Sequence, residues 1–283
     1  MLDLNSVRGI LIDIDGTLMR GKELLDGALE FLEYLDNEKI TYLIVSNNTK
    51  SPNSYVDLFK ARGVWIREEQ ILTCTSTTKR YLDNNTYIKS AYVIGKPDLF
   101  EAVEAAGVRI LEDASGVDIG EVADAVIVGG DFELNYTKLK DAVLHLQKGA
   151  VLIGSNGDML IPTEEGLVPE AGMTLAALEA GSGIKPIILG KPEPYFFKLA
   201  VEKLSDKCED ESEFDIRESI VMLGDRLDTD ISGAAKYGLK TILVKTGVDD
   251  ELGIEVKKIY PDLVVEDLVE LKNMWRRSKE NGK

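Results

Sequence analysis

Two carboxylates at the end of an apolar run are the first side chains in this sequence that could do chemistry. Asp13 and Asp15 close such a run, and Gly16, which permits a tight turn, follows them together with Thr17. Two carboxylates that share a cleft repel each other unless a cation compensates them. A hard divalent ion with oxygen ligands, Mg²⁺ above all, is the natural compensation, whereas Asp-Gly taken alone also fits a solvated turn.

A second acidic segment follows a later apolar run and contains Asp225, Asp228 and Asp230. Both acidic segments begin like an EF-hand calcium loop. Neither continues as one, because the glutamate that such a loop needs at its last position is Leu24 in the first segment and Leu239 in the second. Two acidic strand ends in one parallel sheet therefore favour a shared magnesium site.

A metal of this kind implies a phosphate ligand, which also needs positive charge and hydrogen-bond donors from the protein. Ser46, Asn47 and Lys191 supply both. The segment around Lys191 is not a Walker loop, because Pro192 stands where serine or threonine is required. Lys96 lies in the same Gly-Lys-Pro tripeptide, but we interpret it as a surface lysine at a helix start.

This sequence lacks the residues that two other catalytic mechanisms require. His145 is the single histidine, and it interrupts two leucines on a predicted helix, where we expect a surface or half-buried side chain. Serine-histidine and histidine-zinc mechanisms are therefore excluded. Cys74 and Cys208 show no Cys-x-x-Cys spacing, and we expect both to be reduced thiols.

The elements that must position these residues alternate between short apolar runs and stretches of helical period. Leu25, Ala28, Leu29, Leu32 and Leu35 have helical spacing, as do Leu139, Ala142, Val143 and Leu146. Strands separated by helices predict an α/β fold with a parallel sheet, whose ligands bind in the loops after the strands. The predicted strands are Val7 to Ile14, Ile40 to Val45, Ala91 to Ile94, Ala125 to Val128, Val151 to Ile153, Ile187 to Leu189, Ile220 to Leu223 and Thr241 to Val244.

The long middle of the chain has its own α/β pattern but contributes none of the candidate site residues. We predict a core domain built from residues 1–78 and 186–283, with residues 79–185 inserted as a second lobe. A length of 283 residues is consistent with two lobes.

The bulk composition excludes several classes of partner. A formal net charge of −17 disfavours nucleic acid and anionic membranes, because both carry negative charge. No apolar run reaches the ~18 residues of a membrane span, and no secretory leader is evident at the N-terminus. We expect a cytoplasmic protein with a small-molecule ligand.

Together these motifs resemble, in order, the signatures of the haloacid dehalogenase (HAD) superfamily. They are Asp13-x-Asp15-Gly16-Thr17, then Ser46, then Lys191, then Gly224-Asp225 with Thr229-Asp230. The insert between the second and third signatures resembles the branch with a type IIA cap, which contains p-nitrophenyl phosphatases and nucleotide monophosphatase-like enzymes. The resemblance implies a Rossmann-like core, an α/β cap and a Mg²⁺-dependent phosphatase.

The resemblance also implies a mechanism. Asp13 would attack phosphorus and form an aspartyl phosphate, while Asp15 would protonate the leaving oxygen and later deprotonate the hydrolytic water. Mg²⁺ would be held by the Asp13 carboxylate, the Asp15 main-chain carbonyl and Asp225.

The remaining signature residues would bind phosphate or support the site. Ser46, Asn47 and Lys191 would bind phosphoryl oxygens, and Asp230 would orient metal-bound water or Lys191. Asp228 receives no role.

The cap would recognise the leaving group, which leaves the substrate open among nucleotides, sugar phosphates and glycolytic phosphates. The loop Gly154 to Asp158 is a candidate for that contact, with a plain turn as the alternative. A homo-oligomer formed through the cap is a further possibility.

Four other functions compete with this one. An enzyme of the same fold could transfer the phosphoryl group to another acceptor. A receiver-type signalling module also has acidic strand ends, but it has an adjacent acidic pair at the first strand and no extra lobe. Attack on carbon is disfavoured, because that reaction has no alkoxide for Asp15 to protonate, and a silent scaffold is disfavoured because every expected catalytic position is filled.

Overall fold

The computed structural model describes residues 2–112, 120–163, 165–205 and 213–281, so Cys208 lies outside the described residues. The chain divides into two compact units. The first unit comprises Met1–Ser46, Asn53–Leu72 and Lys191–Lys283, and the second comprises Asn47–Pro52 and Thr73–Gly190. The lobe boundaries expected from the sequence, 78/79 and 185/186, stay a prediction.

The strands alternate with helices along most of the chain. In chain order they are β1 (Gly9–Asp13), β2 (Met19–Arg20), β3 (Glu23–Leu24), β4 (Thr41–Ser46), β5 (Ile71–Thr73), β6 (Ser90–Ile94), β7 (Arg109–Leu111), β8 (Ala125–Val128), β9 (Val151–Gly154), β10 (Leu160–Thr163), β11 (Gly166–Pro169), β12 (Ile187–Ile188), β13 (Ile220–Gly224), β14 (Lys240–Val244) and β15 (Leu263–Val265).

Several helices begin where a capping side chain or a proline favours a first turn. Asn135 precedes one of them and accepts a hydrogen bond from the Lys138 amide at 3.1 Å, which satisfies a free amide at the helix start. The helices are α1 (Ala28–Asn37), α2 (Pro52–Lys60), α3 (Cys74–Asn84), α4 (Pro97–Ala105), α5 (Tyr136–Gln147), α6 (Ala171–Ser182), α7 (Pro194–Ser205), α8 (Glu213–Glu218), α9 (Ser232–Tyr237), α10 (Glu251–Lys257) and α11 (Leu268–Asn281). Short 3₁₀ helices cover Leu4–Ser6 and Glu68–Gln70, and a π-helix covers Leu227–Ile231.

The sheet of the first unit has the strand order β15-β14-β13-β1-β4-β5. β1 pairs in parallel with β13 on one side and with β4 on the other. A small antiparallel hairpin, β2 with β3, follows β1. The parallel α/β core that the sequence predicts is therefore confirmed.

Both faces of that sheet are covered, and β1 shows why its sequence is continuously apolar. Ile10 and Ile12 pack into one apolar cluster with Trp275, whereas Leu11 packs into a second cluster with Phe196. Side chains alternate across a strand, so a strand between two apolar layers needs apolar residues at every position. This burial makes β1 a rigid support for the residue at its end.

The second unit contains a separate parallel sheet with the order β12-β9-β8-β6-β7. Its core is built from Tyr92, Val126 and Leu152 on the strands and from Ala142 and Leu178 on the helices. The antiparallel hairpin of β10 and β11 lies in the same unit. None of the helices in the described ranges combines the length and apolar content that crossing a lipid bilayer requires.

His145 is buried, contrary to the surface or half-buried position expected from the sequence. It lies on α5 with 2% exposure, and its Nδ1 accepts a hydrogen bond from the Ala123 amide at 3.1 Å. Its ring centroid is 5.1 Å from that of Tyr92. Burial lowers the pKa of His145, because the charged imidazolium would lose its hydration. The helical spacing in the sequence indicated that His145 has apolar neighbours. It could not show that the imidazole accepts a hydrogen bond from the backbone.

We expect His145 to lower the stability of the folded protein in mild acid. Its folded-state pKa is below the unfolded value of about 6.5, so the unfolded chain binds the proton more readily, and stability falls as pH falls below that value. A His145→Gln variant cannot gain this charge, so the parent should lose up to about 1.4 kcal/mol per pH unit relative to the variant. Urea unfolding of both proteins at about pH 5.5 and 7.5 tests this. Equal pH dependence in the two proteins would contradict it.

Candidate active site

Three neighbouring strands of the first unit end in polar side chains at the same edge of the sheet. Asp13 is the last residue of β1, Ser46 is the last residue of β4, and Asp225 follows β13 directly. β1 pairs in parallel with both other strands, so the three carboxyl ends meet. The side chains of all three residues are buried.

Lys191 joins two of the acidic side chains. Its Nζ lies 2.5 Å from Asp13 Oδ1 and 2.7 Å from Asp230 Oδ1, and the lysine is 3% exposed. Burial alone would lower the pKa of Lys191, but the two carboxylates raise it above its usual value. Lys191 is therefore a permanent cation fixed between two carboxylates.

Three buried carboxylates form one group around this lysine. Asp13, Asp225 and Asp230 each offer an oxygen, and these oxygens lie within 4.8 Å of one another. Burial and the neighbouring carboxylates raise the pKa of Asp13 well above its usual range, even though Lys191 lowers it. Burial, followed by the charge of Asp230, raises the pKa of Asp225 to about 7. One ammonium does not balance three carboxylates, so the group is suited to a further cation.

The hydrogen bonds of Asp225 leave one of its oxygens available. Oδ2 accepts a hydrogen bond from the Val248 amide at 2.8 Å. Oδ1 is buried and has no hydrogen-bond partner among the described residues. A buried anionic oxygen without a partner is costly, and a hard divalent cation would compensate it. The donor set, carboxylate oxygens only, fits Mg²⁺.

Glycines make room for Asp225. A Cβ on Gly247 or on Gly16 would overlap the Asp225 carboxylate, and Gly16 also has a φ of +85°, which other residues rarely adopt. The Gly16 expected to permit a tight turn therefore has a second purpose, because it lets the two acidic loops approach.

Asp15 differs from Asp13 in its environment. Its side chain is exposed and lies outside the three-carboxylate group, but its charge contributes to the raised pKa of Asp13. An exposed carboxylate next to a buried one can exchange protons with solvent. Its main-chain carbonyl stays a predicted metal ligand.

Ser46 and Asn47 are consecutive but belong to different units. Ser46 is buried in the first unit, with its Oγ 3.4 Å from the Tyr55 hydroxyl. Asn47 belongs to the second unit, where its Nδ2 donates a hydrogen bond to Asp158 Oδ2 at 3.0 Å. The phosphate contact of Asn47 stays a prediction.

The loop after β14 supports the acidic segment, and sequence reasoning missed it. The Asp249 amide donates to the Asp225 carbonyl at 3.1 Å. Asp249 Oδ2 accepts from the amide of Leu227 at 2.8 Å, at the start of the π-helix that carries Asp230, and from Lys257 Nζ at 2.9 Å. The signal in the sequence is the predicted strand Thr241 to Val244, because loops that follow parallel strands carry ligand-binding residues.

Two other charged residues lie outside the three-carboxylate group. Asp228 has a half-exposed side chain and lies 3.5 Å from Arg226 Nε and 3.8 Å from Lys257 Nζ. Lys96 precedes α4 in the second unit, and its Nζ lies 4.0 Å from the ring centroid of Phe132. The structure therefore assigns Asp228 no contact within the acidic group.

Two family models match the chain. One describes haloacid dehalogenase-like hydrolases and covers residues 10–109, and the other describes HAD-hydrolase-like proteins and covers residues 188–271. An acid sugar phosphatase from Staphylococcus saprophyticus is 32% identical over 95% of this chain and 98% of its own length.

Solved structures with the same architecture include two named proteins. A 4-nitrophenylphosphatase from Thermotoga maritima is 30% identical, with a TM-score of 0.83 over 96% of this chain and 99% of its own. NagD from E. coli K-12 is 28% identical, with a TM-score of 0.80 over 93% of this chain and 98% of its own. The likeness thus extends over nearly the whole of each protein.

Proposed function

Since this chain belongs to the haloacid dehalogenase-like hydrolases and is a phosphatase of that family, we propose that it hydrolyses small phosphomonoesters through a phosphorylated Asp13. The observation that carries the proposal is the buried group of Asp13, Asp225 and Asp230 around Lys191, at the ends of parallel strands. A carboxylate in that position can act as a nucleophile, while the cations of the site neutralise the incoming phosphate. A cytoplasmic location, expected from the sequence, stays a prediction.

The first half of the reaction transfers the phosphoryl group to the protein. An oxygen of Asp13 attacks phosphorus, and the bond between phosphorus and the leaving oxygen breaks. Asp15 gives its proton to that oxygen, so an alcohol leaves and an aspartyl phosphate remains on Asp13. The exposed position of Asp15 supports this role, because its side chain is accessible to the water that attacks in the second half.

The second half releases the phosphate. Asp15, now a carboxylate, takes a proton from water while the water oxygen attacks phosphorus, and the bond to Asp13 breaks. Inorganic phosphate leaves, and Asp13 and Asp15 return to their starting states. Lys191 and Ser46 would donate hydrogen bonds to the phosphoryl oxygens throughout.

A divalent cation is part of the proposal, with Mg²⁺ as the species that the oxygen donors suit best. Asp13, Asp225 and the main-chain carbonyl of Asp15 would hold it, and Asp230 would support the site through Lys191. When bound, Mg²⁺ would neutralise negative charge on the transferring phosphoryl group.

We expect Mg²⁺ to stabilise the folded protein. Binding at about 100 times the dissociation constant contributes about 2.7 kcal/mol, which raises Tm by about 5 °C or more for a chain of this size. Differential scanning calorimetry with Mg²⁺ and with a chelator measures the shift. An Asp225→Asn variant should lose it, whereas Asp228→Asn, which changes a half-exposed carboxylate outside the group, should keep it. An undiminished shift in Asp225→Asn would contradict the site.

A phosphate-release screen tests the proposed function. The relatives are named for sugar phosphates and for nitrophenyl phosphate, so p-nitrophenyl phosphate and a series of sugar phosphates are the first substrates. The expected result is Mg²⁺-dependent release of inorganic phosphate that stops with chelator. Transfer of the phosphoryl group to an added alcohol would instead favour the transferase alternative, and a phosphorylated protein that never turns over would favour a receiver.

A further inference from the structure

Residues 246–249 of the first unit form the β14 loop, which is bonded to both acidic loops although no step of the proposed reaction uses its side chains. The first acidic loop follows β1 and holds Asp15, and the second follows β13 and holds Asp225. β14 pairs in parallel with β13, so the carboxyl ends of these two strands lie side by side. The β14 loop therefore lies at the edge of the sheet where the metal ligands are expected.

Thr246 anchors the first acidic loop. Its Oγ1 donates a hydrogen bond to the Gly16 carbonyl at 2.6 Å. The Arg20 guanidinium donates to the Thr246 carbonyl at 2.7 Å, so the threonine is itself held in place. Gly16 directly follows Asp15, whose main-chain carbonyl is a predicted metal ligand. Glycine restricts its own backbone little, so this bond from another loop is what fixes the chain next to that ligand.

Asp249 anchors the second acidic loop at two points. Its amide donates to the Asp225 carbonyl at 3.1 Å, and its Oδ2 accepts a hydrogen bond from the Leu227 amide at 2.8 Å. These two bonds fix both of the peptide groups that join Asp225 to Leu227. The Asp249 side chain is buried, and Lys257 Nζ lies 2.9 Å from the same Oδ2 and compensates its charge.

Val248 links the two anchors to a predicted metal ligand. Its amide donates to Asp225 Oδ2 at 2.8 Å, which orients the buried Oδ1 that has no hydrogen-bond partner among the described residues. Val248 lies between Thr246 and Asp249, so a shift of either anchor would move the amide that orients the carboxylate. Groups that hold ligands in place raise the affinity of a metal site, because the ligands need little further ordering when the cation binds.

We propose that Thr246 and Asp249 are positioning residues that set the affinity of the active site for Mg²⁺ by holding the two acidic loops in their metal-binding geometry. This inference rests on the proposed phosphatase function and its divalent cation, and it assigns a role to side chains outside the predicted ligand set. A merely structural role would lower stability without changing the affinity for Mg²⁺. A positioning role changes that affinity, because the ligands must then be ordered by the cation itself.

The test uses matched substitutions at the two ends of β14. Thr246→Val and Asp249→Ala remove the two anchors, and Asp249→Asn keeps an oxygen that can accept from the backbone. Thr241→Val and Asp262→Ala are the controls, because Thr241 Oγ1 donates to Asp262 Oδ2 at 3.0 Å near the amino end of β14. Asp262 Oδ2 also accepts from the Thr241 amide at 2.9 Å, as Asp249 does from an amide at the other end.

Two titrations with Mg²⁺ measure the affinity, one by the rise in Tm and one by the release of phosphate from p-nitrophenyl phosphate. The half-saturating Mg²⁺ concentration should rise about 3- to 10-fold in Thr246→Val and about 10-fold or more in Asp249→Ala. Asp249→Asn should show a smaller rise, of about 3-fold. We expect kcat at saturating Mg²⁺ to stay within about 3-fold of the parent in all three variants. The two controls should have a lower Tm in chelator but a half-saturating concentration within about 2-fold of the parent.

The outcomes separate this inference from the proposed function. An unchanged Mg²⁺ affinity in Thr246→Val and Asp249→Asn, with both variants folded by circular dichroism, would overturn the inference. An equal loss of affinity in Thr241→Val and Asp262→Ala would also overturn it, because any weakening of β14 would then have the same effect. If Asp249→Ala does not fold, the other two variants decide the matter. A parent that responds to Mg²⁺ in neither titration would instead refute the metal-dependent function itself.

Discussion

An Asp13→Asn variant is expected to lose phosphatase turnover by at least about 10⁴-fold while keeping its fold. Asparagine has nearly the shape of aspartate, and its carbonyl oxygen can still accept the hydrogen bond that Lys191 gives to Asp13. A carboxamide is a poor nucleophile, so no acyl phosphate forms. Initial rates with p-nitrophenyl phosphate measure the loss of turnover, and circular dichroism shows whether the fold is kept.

Asp228→Asn is the matched control for Asp13→Asn. Asp228 carries the same functional group and lies in the segment that holds Asp230. Among the described residues its ion pairs are with Arg226 and Lys257. Its rate should stay within about 2-fold of the parent. Mass spectrometry of the parent, quenched during turnover, should find an added phosphoryl group on Asp13, which locates the covalent step. If Asp13→Asn kept a tenth of the parental rate, direct attack by water would replace the covalent mechanism.

Lys191→Met is expected to reduce both activity and stability. Methionine fills much of the same volume but removes the ammonium that contacts Asp13 and Asp230 at 2.5 and 2.7 Å. Removing one partner from a buried ion pair costs about 3–5 kcal/mol, because the other charge is left uncompensated. We expect kcat/KM to fall about 10³-fold, since the phosphoryl oxygens also lose a cationic donor.

The stability loss in Lys191→Met should grow as pH rises. Burial raises the pKa of Asp13, and that of Asp225 to about 7, above the usual 3.8. A carboxyl whose folded pKa is raised binds its proton more tightly in the folded state, so its contribution to stability falls as pH rises from about 4 towards the folded pKa. Lys191 lowers both pKa values, so its removal deepens the loss up to and above pH 7.

Urea unfolding of parent and Lys191→Met at a series of pH values from 5 to 8 measures this dependence. Lys245→Met is a matched control, because Lys245 also bridges two carboxylates, Glu251 and Glu266, but both are exposed. That variant should lose less than about 1 kcal/mol. A pH-independent loss in Lys191→Met would show that the lysine contributes packing and not charge compensation.

Much of the fold was predictable from local sequence patterns, because a strand that is buried on both faces appears as a continuous run of apolar residues. β1, β4, β6, β8, β9, β13 and β14 all fall within or beside runs that the sequence predicts as strands. Short peripheral strands such as β7 and β15 were missed, since three residues carry too little pattern to separate from a loop.

The candidate site was predictable for those residues that end a predicted strand or directly follow one. Asp13, Ser46 and Asp225 are such residues, and the strand-end rule requires no knowledge of strand order. The support given to Asp225 by Gly247 and Asp249 depends on β14 lying next to β13, which no local pattern specifies.

The central position of β1 has a consequence for how the protein is made. Its partner β13 begins at Ile220, paired with Gly9, so it leaves the ribosome only after the intervening segments have been translated. At roughly 5–20 residues per second, that delay is about 10–40 s, during which one edge of a largely apolar strand has no partner in its own chain. Asp225 follows β13 directly, so it too is translated only after this delay. A nascent chain is therefore catalytically silent until Asp225 has been made.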